Sequence, residues 1–198
     1  MSEDNQKTII RKSLREKLAT LTPEQRHIKS HAACSLLLAS PEFQAAGVIM
    51  IYLSTPSEVD TAPIALKAWQ QGKTILAPRV NWHQRRMLPV EIASLTSGLT
   101  ISGPGIREPV SGNPSPLNLI DLVIVPGVGF TRSGHRIGRG MGFYDRFLAQ
   151  DEFMGLNCGL AFEEQIVENL PVLDHDVPLG MLVTDRGVWR WSPDLIRT

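Results

Sequence analysis

The N-terminal part of the chain has the apolar periodicity of helices. Over residues 7–21 the apolar positions lie three or four residues apart, which places them on one helix face. They are Ile10, Leu14, Leu18 and Leu21. Thr22 and Pro23 then supply an N-cap and a proline at the first helical position, so we expect a second helix that ends near Leu38.

Beyond residue 47, short apolar runs alternate with segments of helical pattern. Strands are expected over residues 48–53, 74–80, 121–126, 155–161, 181–184 and 188–191, the last as an edge strand. Helices are expected over residues 63–71 and from Tyr144 onward. Pro89 cannot donate to a strand ladder, so residues 87–92 are expected to form an edge or irregular strand. Four prolines and three glycines predict a wrapping loop over residues 102–116.

This alternation favours one fold class. Near-continuous apolar strands separated by helices are typical of a parallel sheet that is covered on both faces. We therefore expect an α/β fold, with a mostly parallel sheet and helices on both faces, in a single domain over residues 1–198.

Composition excludes several classes of protein. Twenty Lys and Arg balance twenty Asp and Glu, which argues against a nucleic-acid-binding surface. Cys34 and Cys158 form no C-x-x-C pair, which favours a reducing compartment. The N-terminus is polar, and no apolar run approaches the roughly 18 residues of a membrane span. We expect a soluble, cytoplasmic monomer with no membrane or nucleic-acid partner.

The stretch from Gly127 to Tyr144 carries most of the candidate chemistry. Its six glycines alternate with Arg132, His135, Arg136 and Arg139, directly after the strand expected over residues 121–126. Glycine lets the backbone curl around an anion, and a following helix adds N–H groups, so the pattern predicts a phosphate-binding loop. It matches neither the Walker A pattern nor G-x-G-x-x-G. A glycine-rich surface turn is the alternative, which the interleaved arginines disfavour.

The segment from Gly134 to Arg146, GHRIGRGMGFYDR, resembles the signature of the 5-formyltetrahydrofolate cyclo-ligase family, G-x-R-[LI]-G-x-G-x-G-[YF]-Y-D. The family's other motifs are matched in order along nearly the whole chain. They correspond to Lys7 and Arg11 before LTPEQR, Glu58 to Thr61, Ile106 to Pro109, Val125 to Gly127 with Phe130, and Leu170-Pro171 with Asp176 and Thr184.

The resemblance implies a Rossmann-like fold related to sugar-phosphate isomerases and coenzyme A transferases. It implies the ATP-dependent conversion of 5-formyltetrahydrofolate to 5,10-methenyltetrahydrofolate, with ATP and the folate as substrates and Mg²⁺ as cofactor. ATP would phosphorylate the formyl oxygen, and the folate N10 would then attack the activated carbon. Such chemistry asks the protein for positioning and charge neutralisation rather than a nucleophile.

The resemblance also implies residue roles. The ATP-binding residues would be Lys7, Arg11, Arg136, Ile137, Gly138, Arg139, Gly140, Met141, Gly142, Phe143 and Tyr144. The folate-binding residues would be Leu53, Glu58, Arg139, Gly140, Met141, Gly142 and Phe143. Arg139 would stabilise charge on the transferring phosphoryl group, and Asp145 and Asp176 would bind Mg²⁺. Phe143 stands where the family often has tyrosine.

Several of these residues have simpler interpretations. Lys7 and Arg11 lie on a helix stripe that solvent could cover, and Arg15 offers a competing match four residues later. Asp145 could cap a helix, Asp174 competes with Asp176, and Glu58 could be an exposed loop acid. His175 is left out of the metal site because Mg²⁺ prefers oxygen ligands.

The four tryptophans are expected to be packing or surface aromatics. They are Trp69, Trp82, Trp189 and Trp191. Two other functions remain open: another enzyme on a similar sheet, which would bind phosphate without Mg²⁺-ATP, and a non-catalytic module with folate or nucleotide affinity. The presence of all the matched basic, acidic and glycine positions argues against the second.

Overall fold

Helices and strands alternate along the chain. The structure, a computed structural model, describes residues 3–102 and 105–191. The helices are α1 (Glu3–Ala19), α2 (Pro23–Leu38), α3 (Pro41–Ala45), α4 (Ala62–Gln70) and α5 (Phe143–Leu148). The strands are β1 (Val48–Met50), β2 (Thr74–Asn81), β3 (Arg86–Glu91), β4 (Leu99–Ser102), β5 (Ile106–Pro109), β6 (Leu122–Val125), β7 (Gly129–Phe130), β8 (Arg136–Ile137), β9 (Leu156–Leu160), β10 (Met181–Val183) and β11 (Val188–Arg190).

Seven strands form one sheet in the order β11-β10-β9-β6-β1-β2-β3. The five central strands are parallel, and β3 and β11 pair antiparallel at the two edges. The mostly parallel α/β fold is therefore confirmed, and so is the edge position of the Pro89 strand. After β1 the chain continues to β2, which lies on one side of β1, whereas β6 lies on the other side of β1. The carboxyl ends of β1 and β6 therefore form a topological switch point.

Side chains alternate between two apolar layers. Ile49 and Ile51 pack under α2 and α4 in one buried cluster. Met50 points the other way, into a cluster that contains Phe147 of α5. This alternation follows from the two-residue period of a strand and explains why helices cover both faces.

The start of α2 agrees with the sequence pattern. The Thr22 hydroxyl accepts a hydrogen bond from the Gln25 N–H at 3.1 Å. The Gln25 side chain accepts in return from the Thr22 N–H at 2.9 Å, which completes a capping box. This cap fixes the turn between α1 and α2.

Two segments differ from the prediction. Residues 102–116 are not a simple loop, because β4 and β5 form an antiparallel hairpin that includes their first part. The buried Glu108 carboxylate accepts the Val80 N–H at 2.8 Å and so attaches β5 to β2, a long-range contact that local composition does not reveal. The glycine-rich stretch likewise contains a short hairpin, β7–β8, before its loop.

Other expectations differ in smaller ways. β1 ends at Met50 rather than at residue 53, and α3 was not expected. Cys34 and Cys158 are both buried free thiols. Within residues 3–102 and 105–191, no helix is long and apolar enough to cross a membrane.

Candidate functional site

A cavity of about 530 Å³ lies at the carboxyl ends of β1 and β6. α1, the loop from β8 to α5, and the segment around residue 176 form its other walls. Every residue predicted to touch a ligand or metal lines this cavity. They are Lys7, Arg11, Leu53, Glu58, Arg136, Ile137, Gly138, Arg139, Gly140, Met141, Gly142, Phe143, Tyr144, Asp145 and Asp176. Their roles in binding stay predictions, but the structure brings them to one place.

The loop between β8 and α5 depends on glycine. Gly140 and Gly142 have φ values of 101° and 62°, in the left-handed region where other residues are strained. Arg11 from α1 donates to the Gly138 carbonyl at 2.9 Å, and Arg146 donates to the Met141 carbonyl at 2.6 Å. The loop is thus held against the cavity from both sides.

Lys7 and Asp176 form the first ion pair of the cavity, at 2.6 Å. Lys7 is buried, with 8% of its side chain exposed, so it does not lie on a solvated helix face. Burial favours the neutral acid, but the hydrogen bonds from Lys7 and from the Leu173 N–H outweigh it and lower the pKa of Asp176. Asp176 is therefore ionised at neutral pH.

Arg136 and Asp145 form the second ion pair, also at 2.6 Å. Asp145 does not cap α5, because Gly142 holds the N-cap position without a side-chain bond. The Asp145 carboxylate instead accepts the Val177 N–H at 3.3 Å, which places it beside the residue that follows Asp176. Asp145 thus contacts the residue next to Asp176, and both aspartates line the cavity.

Arg139 and Glu58 form the third ion pair, at 2.8 Å. Thr55, which sequence reasoning missed, donates both its N–H and its hydroxyl to the other oxygen of Glu58, each at 2.9 Å. Glu58 has only 15% of its side chain exposed, so it is not a solvated loop acid. The residue predicted to bind the pterin and the residue predicted to be catalytic are therefore in direct contact.

An aromatic wall closes the cavity on the side of β2 and α5. Trp82 meets Phe143 edge to face, with ring centroids 5.4 Å apart. The Trp82 indole N–H and the Tyr144 hydroxyl are both buried without a hydrogen-bond partner in the structure, so each could bind a ligand. Burial, and then the charge of Glu58, raise the pKa of Tyr144. Trp82 thus packs against Phe143, as predicted, and it also lines the cavity.

Further residues complete the lining. Arg15 and His175 also face the cavity, so the competing match at Arg15 stays open, whereas the exposed Asp174 is not part of the lining. Arg107 of β5 reaches the cavity as well and donates to the Ser54 carbonyl at 3.3 Å. Trp82 lies outside the recognised motifs, and Arg107 lies within the Ile106 to Pro109 motif without having been assigned a role. Local patterns could not place either residue in the cavity, because the β2–β3 and β4–β5 hairpins bring them there.

The parallel sheet, the glycine loop at its switch point and the cationic cavity define an α/β protein with a site for small anionic ligands. Comparison with known families narrows this class. The model of the 5-formyltetrahydrofolate cyclo-ligase family matches residues 3–185. The chain therefore belongs to the 5-formyltetrahydrofolate cyclo-ligase family.

Individual relatives agree with this assignment. The 5-formyltetrahydrofolate cyclo-ligase of Escherichia coli K12 is 32% identical and aligns over 90% of this chain and all of its own length. The mouse cyclo-ligase is also 32% identical, over 85% of this chain and 88% of its own. The NMR structure of Aquifex aeolicus 5,10-methenyltetrahydrofolate synthetase superimposes with a TM-score of 0.80, at 32% identity, over 93% of this chain and 92% of its own.

Proposed function

We propose that this enzyme catalyses the ATP-dependent cyclisation of 5-formyltetrahydrofolate to 5,10-methenyltetrahydrofolate, with release of ADP and phosphate. One observation carries the proposal: a single cavity holds the basic residues, the glycine loop, the Glu58 carboxylate expected to bind the pterin, and the two aspartates expected to bind the metal ion. Family membership and the close relatives support the same reaction.

The reaction needs an activated oxygen. ATP transfers its γ-phosphoryl group to the formyl oxygen, because a formamide oxygen is otherwise a poor leaving group. N10 then attacks the formyl carbon, the carbon–oxygen bond breaks with phosphate as leaving group, and the N10 proton is lost. The protein's contribution is to hold the two substrates in line and to neutralise charge on the phosphoryl group.

The cavity residues suit these tasks. Lys7, Arg11 and Arg136 supply positive charge at the end of the cavity that holds the aspartates. Arg139, which forms an ion pair with Glu58, is our candidate for binding the transferring phosphoryl group. Glu58 accepts hydrogen bonds from the pterin amino and ring N–H groups. The side chains of Leu53 and Phe143, which also line the cavity, cover the ring.

Mg²⁺ fits the donors that are present. Asp145 and Asp176 offer two neighbouring carboxylates, and Mg²⁺ takes one or two of these with phosphate and water oxygens. The part of the chain that the structure describes has no larger cluster of metal-binding side chains, and such a site needs none. When bound, the ion neutralises charge on the ATP phosphates.

The ion pairs of the cavity are suited to an exchange of partners. A buried charge without a partner is costly, so binding residues that are paired with each other remain satisfied before the substrates arrive. The phosphates would replace the aspartates at Lys7 and Arg136, and Asp145 and Asp176 would then be available to hold Mg²⁺. The net cost of opening each pair is thereby reduced.

The reaction itself is tested by near-ultraviolet absorbance. Purified protein mixed with 5-formyltetrahydrofolate should develop the methenyl chromophore with ATP and Mg²⁺. It should not do so without nucleotide, or with ATP and a chelator. Absence of the chromophore from folded protein that binds ATP would refute the assignment, and turnover in the presence of the chelator would refute the metal requirement.

Substitution of Arg139 tests its role in phosphoryl transfer. Arg139→Ala should lower kcat by about 10²–10³-fold, the usual cost of losing one charge-stabilising donor, without weakening folate binding. Arg132→Ala is the matched control, because Arg132 is in the same stretch but pairs with Glu163 outside the cavity. Equal losses in kcat and folate affinity for Arg139→Ala would rule out a transition-state role.

Substitution of Asp145 tests the metal site. Asp145→Asn removes a charged ligand and should raise the Mg²⁺ concentration for half-maximal activity, on the order of tenfold or more. Asp174→Asn should leave that concentration unchanged, because Asp174 is exposed and does not line the cavity. The readout is initial rate against free Mg²⁺, and an unchanged requirement in Asp145→Asn would place the metal elsewhere.

A further inference from the structure

The Glu58 carboxylate has little capacity left for a ligand. One oxygen accepts the N–H and hydroxyl of Thr55, each at 2.9 Å, and the other accepts the Arg139 guanidinium at 2.8 Å. A carboxylate offers about four acceptor sites, and three of them are used here. A pterin edge presents two parallel donors, which are best met by both oxygens.

The two partners of Glu58 differ in how firmly their surroundings hold them. Thr55 is three residues away on the same loop and holds Glu58 through its backbone as well as its side chain. Arg139 has 42% of its side chain exposed, against 15% for Glu58, and it lies between Gly138 and Gly140. Arg139 is therefore the partner whose side chain has room to move away from Glu58.

Arg139 is also the residue that a phosphate group would attract. Its contact with Glu58 and a contact with the transferring phosphoryl group compete for one guanidinium. If Arg139 moves to the nucleotide, the largely buried Glu58 charge loses its cationic partner, and that loss is costly unless new donors replace it. The pterin N–H groups are such donors.

We propose that Thr55, Glu58 and Arg139 couple the two substrate sites, with Thr55 as the positioning residue that keeps Glu58 directed at the cavity. The proposal rests on the function proposed above. Nucleotide binding draws Arg139 away and exposes Glu58 to the pterin, so folate affinity rises when nucleotide is bound. By linkage, folate raises nucleotide affinity by the same factor.

The Thr55 hydroxyl takes part in the exchange. Its oxygen lies 3.3 Å from Arg139 and 3.2 Å from the Ser57 hydroxyl. Rotation of its proton from Glu58 to Ser57 frees a second acceptor site for the pterin, while the Thr55 N–H still holds the carboxylate. A serine can hold and release the carboxylate in the same way, whereas a valine leaves Glu58 held on this side by the backbone N–H of residue 55 alone, without the hydroxyl bond that directs it at the cavity.

The test is calorimetric titration of 5-formyltetrahydrofolate into the full chain, with and without Mg²⁺ and the β,γ-imido analogue of ATP. In the unsubstituted protein the analogue should tighten folate binding at least about fivefold, the low end for coupled sites. Arg139→Gln should bind folate tightly without the analogue, and the ratio of the two affinities should fall towards one. Arg107→Gln removes a charge from the same cavity without contacting Glu58 and should keep the ratio.

Variants of Thr55 distinguish the loss of its positioning role at Glu58 from a general loss of folded protein. Thr55→Val should weaken folate binding several-fold with and without the analogue while kcat changes little, and Thr55→Ser should restore the affinity. Coupling is refuted if the unsubstituted protein turns over folate but binds it equally well in both conditions, or if Arg139→Gln keeps the full ratio. If the unsubstituted protein neither binds folate nor turns it over, the proposed function is refuted, and this coupling is refuted with it.

Discussion

Compensation of buried charge is the constraint on which the cavity depends. Three ion pairs, Lys7–Asp176, Arg136–Asp145 and Arg139–Glu58, join walls that come from different parts of the chain. The partners in two of these pairs are 169 and 81 positions apart. Each pair satisfies at least one largely buried charge that would otherwise be costly, and each consists of groups that a nucleotide, a metal ion or a pterin can separate again. The same contacts therefore stabilise the empty cavity and prepare it for its ligands.

The sheet determines which residues can form these pairs. Strands β1 and β6 are neighbours, so the loop after β1, with Thr55 and Glu58, faces the glycine stretch that follows β6. α1 lies outside the sheet and contributes Lys7 and Arg11, and through Arg11 it packs over the glycine stretch and closes the cavity there. A binding site at the switch point of an α/β sheet follows from this order of strands and needs no separate explanation.

Sequence reasoning could predict the parts of this structure that local patterns encode. The Thr22 N-cap of α2, the apolar parallel strands and the edge strand with Pro89 were predicted from composition and spacing, and the structure confirms them. The candidate site residues came from resemblance to a family signature, and the structure gathers them in one cavity. Their pairing could not be predicted, because it depends on strand order. The β4–β5 hairpin and the position of Trp82 were missed for the same reason, since long-range contacts such as Glu108 with Val80 decide them.

The central claim is that the cavity drives ring closure by transferring phosphate to the formyl oxygen. Labelling that oxygen with ¹⁸O tests it most directly. Complete turnover of the labelled substrate, followed by mass analysis of the inorganic phosphate, should find one labelled oxygen per phosphate, because the carbon–oxygen bond breaks while that oxygen is bonded to phosphorus. Unlabelled phosphate, with the label in water or retained by the folate, would contradict the account.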